Sequence, residues 1–160
     1  RILFVSNLAR LDPLLFRETL LVKYLELNPD EKGRYSSSLR GDLGKAKGLG
    51  VFIPDEALTN AAEYHAKDMG ETGKTGHNST DGRSMVKRLA DFGVYGVYWG
   101  ENCDYGMEIP TEIVLHLLVD NGVSSLGHRE NHLNPKYRYV GISYQPHEVY
   151  GVNAVFDFSD

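Results

Sequence analysis

The stretch YRYVGISYQPHEVYGVNAVFDFS runs from Tyr137 to Ser159. Its bulky and β-branched residues read as two antiparallel strands around a turn at Gln145–Glu148. Over 136–144, alternation puts Tyr137, Tyr139, Gly141 and Ser143 on one face. Arg138, Val140, Ile142 and Tyr144 take the other, and Val140 and Ile142 at its centre mark that face as the buried one. Upstream of this hairpin the periodicity is mostly helical. Helices first and sheet last predict an α+β fold, with helices covering an antiparallel sheet.

Working back through the chain, Arg1–Arg10 reads as a helix with Ile2, Val5, Leu8 and Ala9 on one side. Asp12-Pro13 restarts the chain with an N-cap and a first-turn proline. A second helix over Leu14–Leu27 would bury Phe16, Leu20, Tyr24 and Leu27. Asn28–Gly50 is polar and glycine-rich, and reads as a long loop with one helical turn at most. Asp55 opens a third helix whose stripe is Leu58, Ala61, Ala62, His65 and Met69, stopped by Gly70. A fourth helix spans Arg83–Phe92 and ends at Gly93. VYGVYWGENCDYG (94–106) reads as β, and Thr111–Asn121 as a fifth helix with Ile113, Leu117 and Leu118 on its apolar face.

The chain has 160 residues, enough for one domain with a proper core, taken as 1–160. A net charge of −5 without a basic run argues against a nucleic-acid partner. No apolar stretch approaches the roughly 18 residues that cross a membrane. The sequence begins inside a helical pattern, so an export or anchor segment is expected upstream of it. A single cysteine, Cys103, forms no internal disulfide.

Several motifs fall short of the chemistry they suggest. HRENH (128–132) lacks the glutamate directly after the first histidine that zinc peptidases need, and Asn134-Pro135 cuts any helix short. GETGKTG (70–76) follows a helix and has Asp68 where a phosphate loop needs glycine. Asn78-Ser79-Thr80 is a glycosylation sequon of low specificity. His65 reads as a satisfied core histidine, His116 and His147 as surface or loop residues, and Cys103 as a small buried apolar group. Three polar residues remain, each directly after a glycine: His77, Glu101 and His128. Glycine lets the backbone turn and present the next side chain. Two neutral imidazoles and a carboxylate suit zinc, and equally suit a hydrogen-bonded cluster lining a groove.

At these same places the sequence resembles the CAP superfamily of cysteine-rich secretory, antigen-5 and pathogenesis-related proteins. The residues that carry the resemblance are GHNSTDGRSMVKRLADFG, GENCDYG, VDNGVSSLGHRENHLNPKYRYVGIS and the closing AVFDF. The absence of cysteine pairs, the form of the GHR-x-N-x-LNP segment and the early VSNLARLDPLLF resemble its bacterial or protist branch. The resemblance implies a three-layer α-β-α sandwich with a central antiparallel sheet (the CAP/SCP-like fold). It also implies a large groove, often with a His-Glu-Glu-His tetrad able to hold zinc or another divalent metal. His77, Glu101 and His128 match three members of that tetrad. The second glutamate has no match: the helix before His128 ends LLVDNG, so Asp120 or Asn121 takes its region, and Asn121 cannot serve as a carboxylate. His132 stands where relatives carry an apolar residue.

The function so implied is that of an extracytoplasmic binding or interaction module, secreted or anchored through a segment outside this chain. Its groove would take a divalent metal or a small apolar ligand such as a sterol or fatty acid, or an extracellular protein or glycan partner. The alternative is a zinc-dependent, protease-like hydrolase using the same cluster, with Glu101 as the candidate catalytic residue. Arg129 and Asn131 are expected to secure the turn at His128 through backbone bonds.

Overall fold

The hairpin is present in the computed structural model, which describes all 160 residues. In chain order the elements are helices α1 (Ile2–Leu11), α2 (Pro13–Phe16), α3 (Val22–Leu27) and α4 (Arg34–Lys45), strand β1 (Ile53–Pro54), helices α5 (Glu56–Thr72) and α6 (Met85–Asp91), strand β2 (Trp99–Tyr105), helices α7 (Pro110–Val119) and α8 (Gly127–His132), and strands β3 (Tyr139–His147) and β4 (Gly151–Ser159). Contacts divide the chain into two units: Arg1–Val51 with Ile109–Pro135, and Phe52–Glu108 with Lys136–Asp160.

The second unit holds the sheet, ordered β1-β3-β4-β2. Strands β3, β4 and β2 are antiparallel, while the two-residue β1 runs parallel to β3, a pairing the alternation did not announce. The hairpin turn falls at Glu148–Tyr150, not at the expected Gln145–Glu148. Two causes move it. β1 reaches only Tyr139 and Val140, so Pro146 stays in β3 without a donor being missed on that edge. The Nδ1 of His147 also accepts from the N–H groups of Val149 and Tyr150 at 3.2 Å each, closing the turn beyond it. His147 is therefore a buried structural residue and not the surface group its sequence position suggests.

Helix α5 packs on this sheet. It starts at Asp55, whose Oδ1 accepts from Leu58 N–H at 2.9 Å. It runs past Gly70 to Thr72, and Gly73 in the left-handed region ends it. Gly70 is there for approach: a Cβ on it would lie 2.1 Å from the carbonyl oxygen of Pro146. Gly141 plays the same part under Leu58, where a Cβ would come within 2.0 Å of the helix backbone. The face bearing Gly141 and Ser143 is thus the one α5 covers, while on the face expected to be buried Val140 is buried, Ile142 half-buried and Tyr144 exposed. In VYGVYWGENCDYG only Trp99–Tyr105 is strand. Before it, Val97 and Tyr98 donate their N–H groups to the Asp160 carboxylate.

In the first unit, Asp12 caps α2 as expected, accepting from Leu15 N–H at 2.9 Å. Residues Arg17–Leu21 then form a π turn. After that turn Leu21 and Leu25 join the expected Tyr24 in the core, the expected Leu20 packs against it, and the expected Leu27 is left 64% exposed. The expected loop over Asn28–Gly50 instead carries α4, which buries Ser36, Leu39 and Leu43 at helical spacing. Leu39 and Leu43 meet Val5, Ala9, Phe16 and the Val114, Leu115 and Leu118 face of α7 in one cluster. Helix α7 is buried over Ile113–Leu115 and Leu117–Val119, a broader apolar surface than the expected stripe.

Candidate functional site

Alternation along β2 puts Glu101, Cys103 and Tyr105 on one face. In register across β4, Glu101 lies opposite Asp157 and Cys103 opposite Val155. Ala62 and Ala66 of α5 pack on Cys103 and Val155. These small residues bring the helix close and set His65 beside the strand, with its Nε2 3.9 Å from Glu101 Oε1. The same Nε2 lies 2.8 Å from the carbonyl oxygen of Gly76. Gly76 N–H donates to the Tyr105 hydroxyl at 3.0 Å. One residue of the loop is thus gripped at both its carbonyl and its N–H, a glycine with φ of 121°. Its neighbour His77 is held so that its Nδ1 is 2.8 Å from Glu101 Oε1.

Arg88 of α6 completes the cluster. It is wholly buried and binds the other oxygen of Glu101 through Nη2. Its Nη1 donates to the carbonyl oxygen of His77 and to Ser79 Oγ, each at 3.2 Å. Burial pushes the Glu101 carboxyl up, but the His77 bond and the Arg88 charge outweigh it and hold it below the ordinary value. The bond to Glu101 raises His77. Burial, then Glu101, push Asp157 far above the carboxylate range. A protonated Asp157 can donate to Glu101, and two carboxyl groups then coexist against one guanidinium. Burial lowers His65, which is therefore neutral. Burial, with Glu101 and Asp157 adding to it, raises the Cys103 thiol far above its usual range. Cys103 is thus a poor nucleophile.

The first unit holds the other two residues. Asp120 caps α7 in the left-handed region, with φ of 57°. Its Oδ1 lies 2.7 Å from His128 Nδ1, and its Oδ2 accepts from His128 N–H at 3.0 Å. Asp120 is therefore the carboxylate partner of His128, at the region where the sequence left a choice between it and Asn121. Arg129 secures the segment as expected, donating to the carbonyl oxygens of Leu118, Val119 and Tyr35 and to Ser38 and Asp42. His132 lies in the core, 3.4 Å from Ser6 Oγ, and burial lowers its pKa to about 4. Asn78 is exposed.

His77 and His128 share one chemical pattern: each ring is oriented through Nδ1 by a carboxylate, so Nε2 is the nitrogen each would offer a metal. Carboxylate–histidine pairs of this kind fix the tautomer of metal ligands. Each pair, taken by itself, has the chemistry of an oriented metal ligand. Glu101 orients His77 through one oxygen and is held by Arg88 through the other.

Sequence reading identified His77, Glu101 and His128 by their preceding glycines and missed Arg88, Asp157 and the grip of His65 and Tyr105 on Gly76. A signal existed for Asp157, a lone acid inside the apolar run AVFDF. None marked Arg88 among the charges of α6.

A family model described as the cysteine-rich secretory protein family, CAP, matches residues 16–158. The chain belongs to this family. It is 31% identical over 98 residues to the Bacillus subtilis protein YkwD, a match that covers 61% of this chain and 36% of that one. Among solved structures, it is similar to an extracellular SCP-domain protein of Bacillus anthracis, with a TM-score of 0.56 and 21% identity over 78% of this chain and 38% of the other. It is also similar to an outer surface protein of Borrelia burgdorferi, with a TM-score of 0.59 and 22% identity over 78% of this chain and 86% of the other. The chain thus spans under half the length of the two Bacillus proteins. These likenesses give the fold class: α+β, of the SCP type, an α-β-α sandwich.

Proposed function

We propose that this chain is an extracytoplasmic CAP domain, spanning 1–160, whose task is binding rather than hydrolysis. The two Nδ1–carboxylate pairs, His77 with Glu101 and His128 with Asp120, carry the reading. Each would present its Nε2 to a divalent metal such as zinc. A bound metal would supply Lewis acidity and a firm anchor for an anionic or carbonyl group of a partner. Glu101 is a weak general base, because its two oxygens are committed to His77 and Arg88. Cys103 and Ser79 supply no activated nucleophile. These points favour binding over the hydrolase reading. The names of the two solved relatives, one extracellular and one on an outer surface, support an extracytoplasmic location. No helix is long and apolar enough to cross a membrane.

A small apolar ligand has its own support. A groove of about 270 Å³ in the first unit is lined by Leu20, Tyr24, Leu27, Ile109 and Leu115, with Lys23 and Glu112 as polar groups. That pattern suits an acyl chain or sterol-like body with a polar end.

Calorimetric titration of metal-stripped protein with zinc tests the metal reading. Zinc binding that is weakened in both His77→Ala and His128→Ala is the expected result. Zinc affinity unchanged in either variant would sink it. Turnover of peptide or ester substrates that falls in Glu101→Gln would restore the hydrolase.

A further inference from the structure

We propose that His65, Glu101 and Cys103, with His77 at its mouth, form a divalent-cation site of mixed nitrogen, oxygen and sulfur donors, built wholly within the sheet-bearing unit. It shares His77 and Glu101 with the function proposed above but needs neither His128 nor Asp120.

The donors are already gathered. One donor atom from each of His65, Glu101 and Cys103 lies within 4.8 Å of the others. Bond lengths of about 2.0–2.3 Å to zinc put tetrahedral ligands roughly 3.3–3.8 Å apart. Two observed separations are close to that edge: 3.9 Å from His65 Nε2 to Glu101 Oε1, and 3.9 Å from Cys103 Sγ to His77 Nδ1. The shorter His77–Glu101 contact, 2.8 Å, is a hydrogen bond whose proton stands where a cation would. A small outward shift of His77 opens the space. That ring is the movable member, since its side chain is 54% exposed while those of His65 and Glu101 are buried.

The other three donors are rigidly mounted. Glu101 and Cys103 sit two residues apart on one face of β2, and α5 is locked on that face by Ala62 and Ala66. Sites on such elements hold their geometry better than sites on loops. The fully buried His65 ring has one partner, the Gly76 carbonyl oxygen at Nε2, and its Nδ1 has none. A cation on Nε2 would move the ring proton to Nδ1 and release that carbonyl oxygen, so the metal bond has to outweigh the loss of one hydrogen bond. The thiol gives up its proton to solvent as it becomes a ligand. Beside the donors, Glu101 is balanced by the buried Arg88, and Asp157 and Cys103 hold protons, so an entering cation takes the place of the thiol proton instead of adding to the charge already there. The mixture of imidazole, carboxylate and thiolate selects zinc-like ions over magnesium or calcium.

Cobalt separates this site from one made of histidines and carboxylates alone, because only a thiolate ligand gives a near-ultraviolet sulfur-to-cobalt charge-transfer band. The reduced, metal-stripped chain is titrated with cobalt(II) and followed by absorption, then zinc is added to displace it. The band is expected in the native protein and in His128→Ala. It should vanish in Cys103→Ser, and affinity should fall about 10-fold or more in His65→Gln, with circular dichroism confirming that both variants fold. Cobalt binding without the band, abolished by His128→Ala, overturns this inference and leaves the proposed function standing. No binding of either metal overturns both. A band with native affinity in His65→Gln removes His65 from the site and overturns the set proposed.

Discussion

Arg88→Met is the sharpest test of how the cluster is held. The guanidinium is wholly buried and supplies bonds to Glu101, the His77 carbonyl oxygen and Ser79 Oγ. Methionine fills much of the volume but leaves a carboxylate whose side chain is 1% exposed without its cation. Breaking one side of a buried ion pair costs about 3–5 kcal/mol. The remaining bond from His77 puts the expected loss at the lower end, about 3 kcal/mol at neutral pH. For a chain of this size that lowers Tm by roughly 6–12 °C. Urea unfolding followed by circular dichroism measures it. Adding Glu101→Gln removes the stranded charge, so the double variant should recover more than half of the loss. Acid should also narrow the gap. In the native protein the Glu101 carboxyl lies below its ordinary 4.5, so its ionised form adds stability above that pH and the gain fades as pH falls through the folded value. Without Arg88, burial and Asp157 raise it, and protonation relieves the variant. A loss under about 1 kcal/mol, or a double variant no better than the single one, would refute the account of Arg88 as the cation that keeps Glu101 ionised.

Three further outcomes are expected. His132 has its pKa lowered to about 4, below its unfolded value of 6.5. Its neutral form therefore stabilises the fold above pH 6.5, and that stability drains away between 6.5 and 4, by roughly 3 kcal/mol in all. His132→Leu should flatten this part of a urea-midpoint profile against pH. Gly70→Ala would gain about 1 kcal/mol of helix propensity but sets a Cβ against the Pro146 carbonyl oxygen at 2.1 Å. Overpacking should win, with a net loss of about 1–2 kcal/mol by denaturant titration, and a stabilised variant would show that α5 shifts freely on the sheet. Asp120→Asn keeps an acceptor near His128 but removes the charge, so zinc affinity should fall about 10–100-fold by calorimetry while thermal unfolding changes little.

The fold was legible where one residue type has one local meaning. Asp12 and Asp55 were read as caps and are caps, because a short acceptor before an apolar period has few other uses. The hairpin followed from alternation. What failed was decided by distant partners. Gly70 looked like a helix stop, yet it is a point of approach to Pro146, a residue 76 positions later. The π turn at Arg17–Leu21 left no mark in the pattern, since Leu20 and Leu21 are both apolar and either could have faced the core. Helix α4 was hidden by its glycines and serines, residues that weaken a helix in isolation but do not prevent one whose Leu39 and Leu43 are buried.

The candidate site divides along the same line. The glycines before His77, Glu101 and His128 single those residues out in the sequence, yet only Gly76 uses the freedom glycine gives, with φ of 121°, while Gly100 is regular strand and Gly127 opens α8. Residues that hold those side chains in place need only the right distance across the fold, which leaves no spacing rule. Arg88 reaches Glu101 from a helix, Asp157 from the neighbouring strand and His65 through the Gly76 peptide. Each looks like an ordinary helix or strand residue until the sheet register is known. The register itself rests on the opening stretch. A one-residue slip of β4 would move Asp157 off the Glu101 face and set Phe156 or Phe158 against Arg88. The buried guanidinium would then face one carboxylate instead of two carboxyl groups. The apolar alternation of AVFDF around a single acid is therefore what fixes both the hairpin and the charge balance beneath His77.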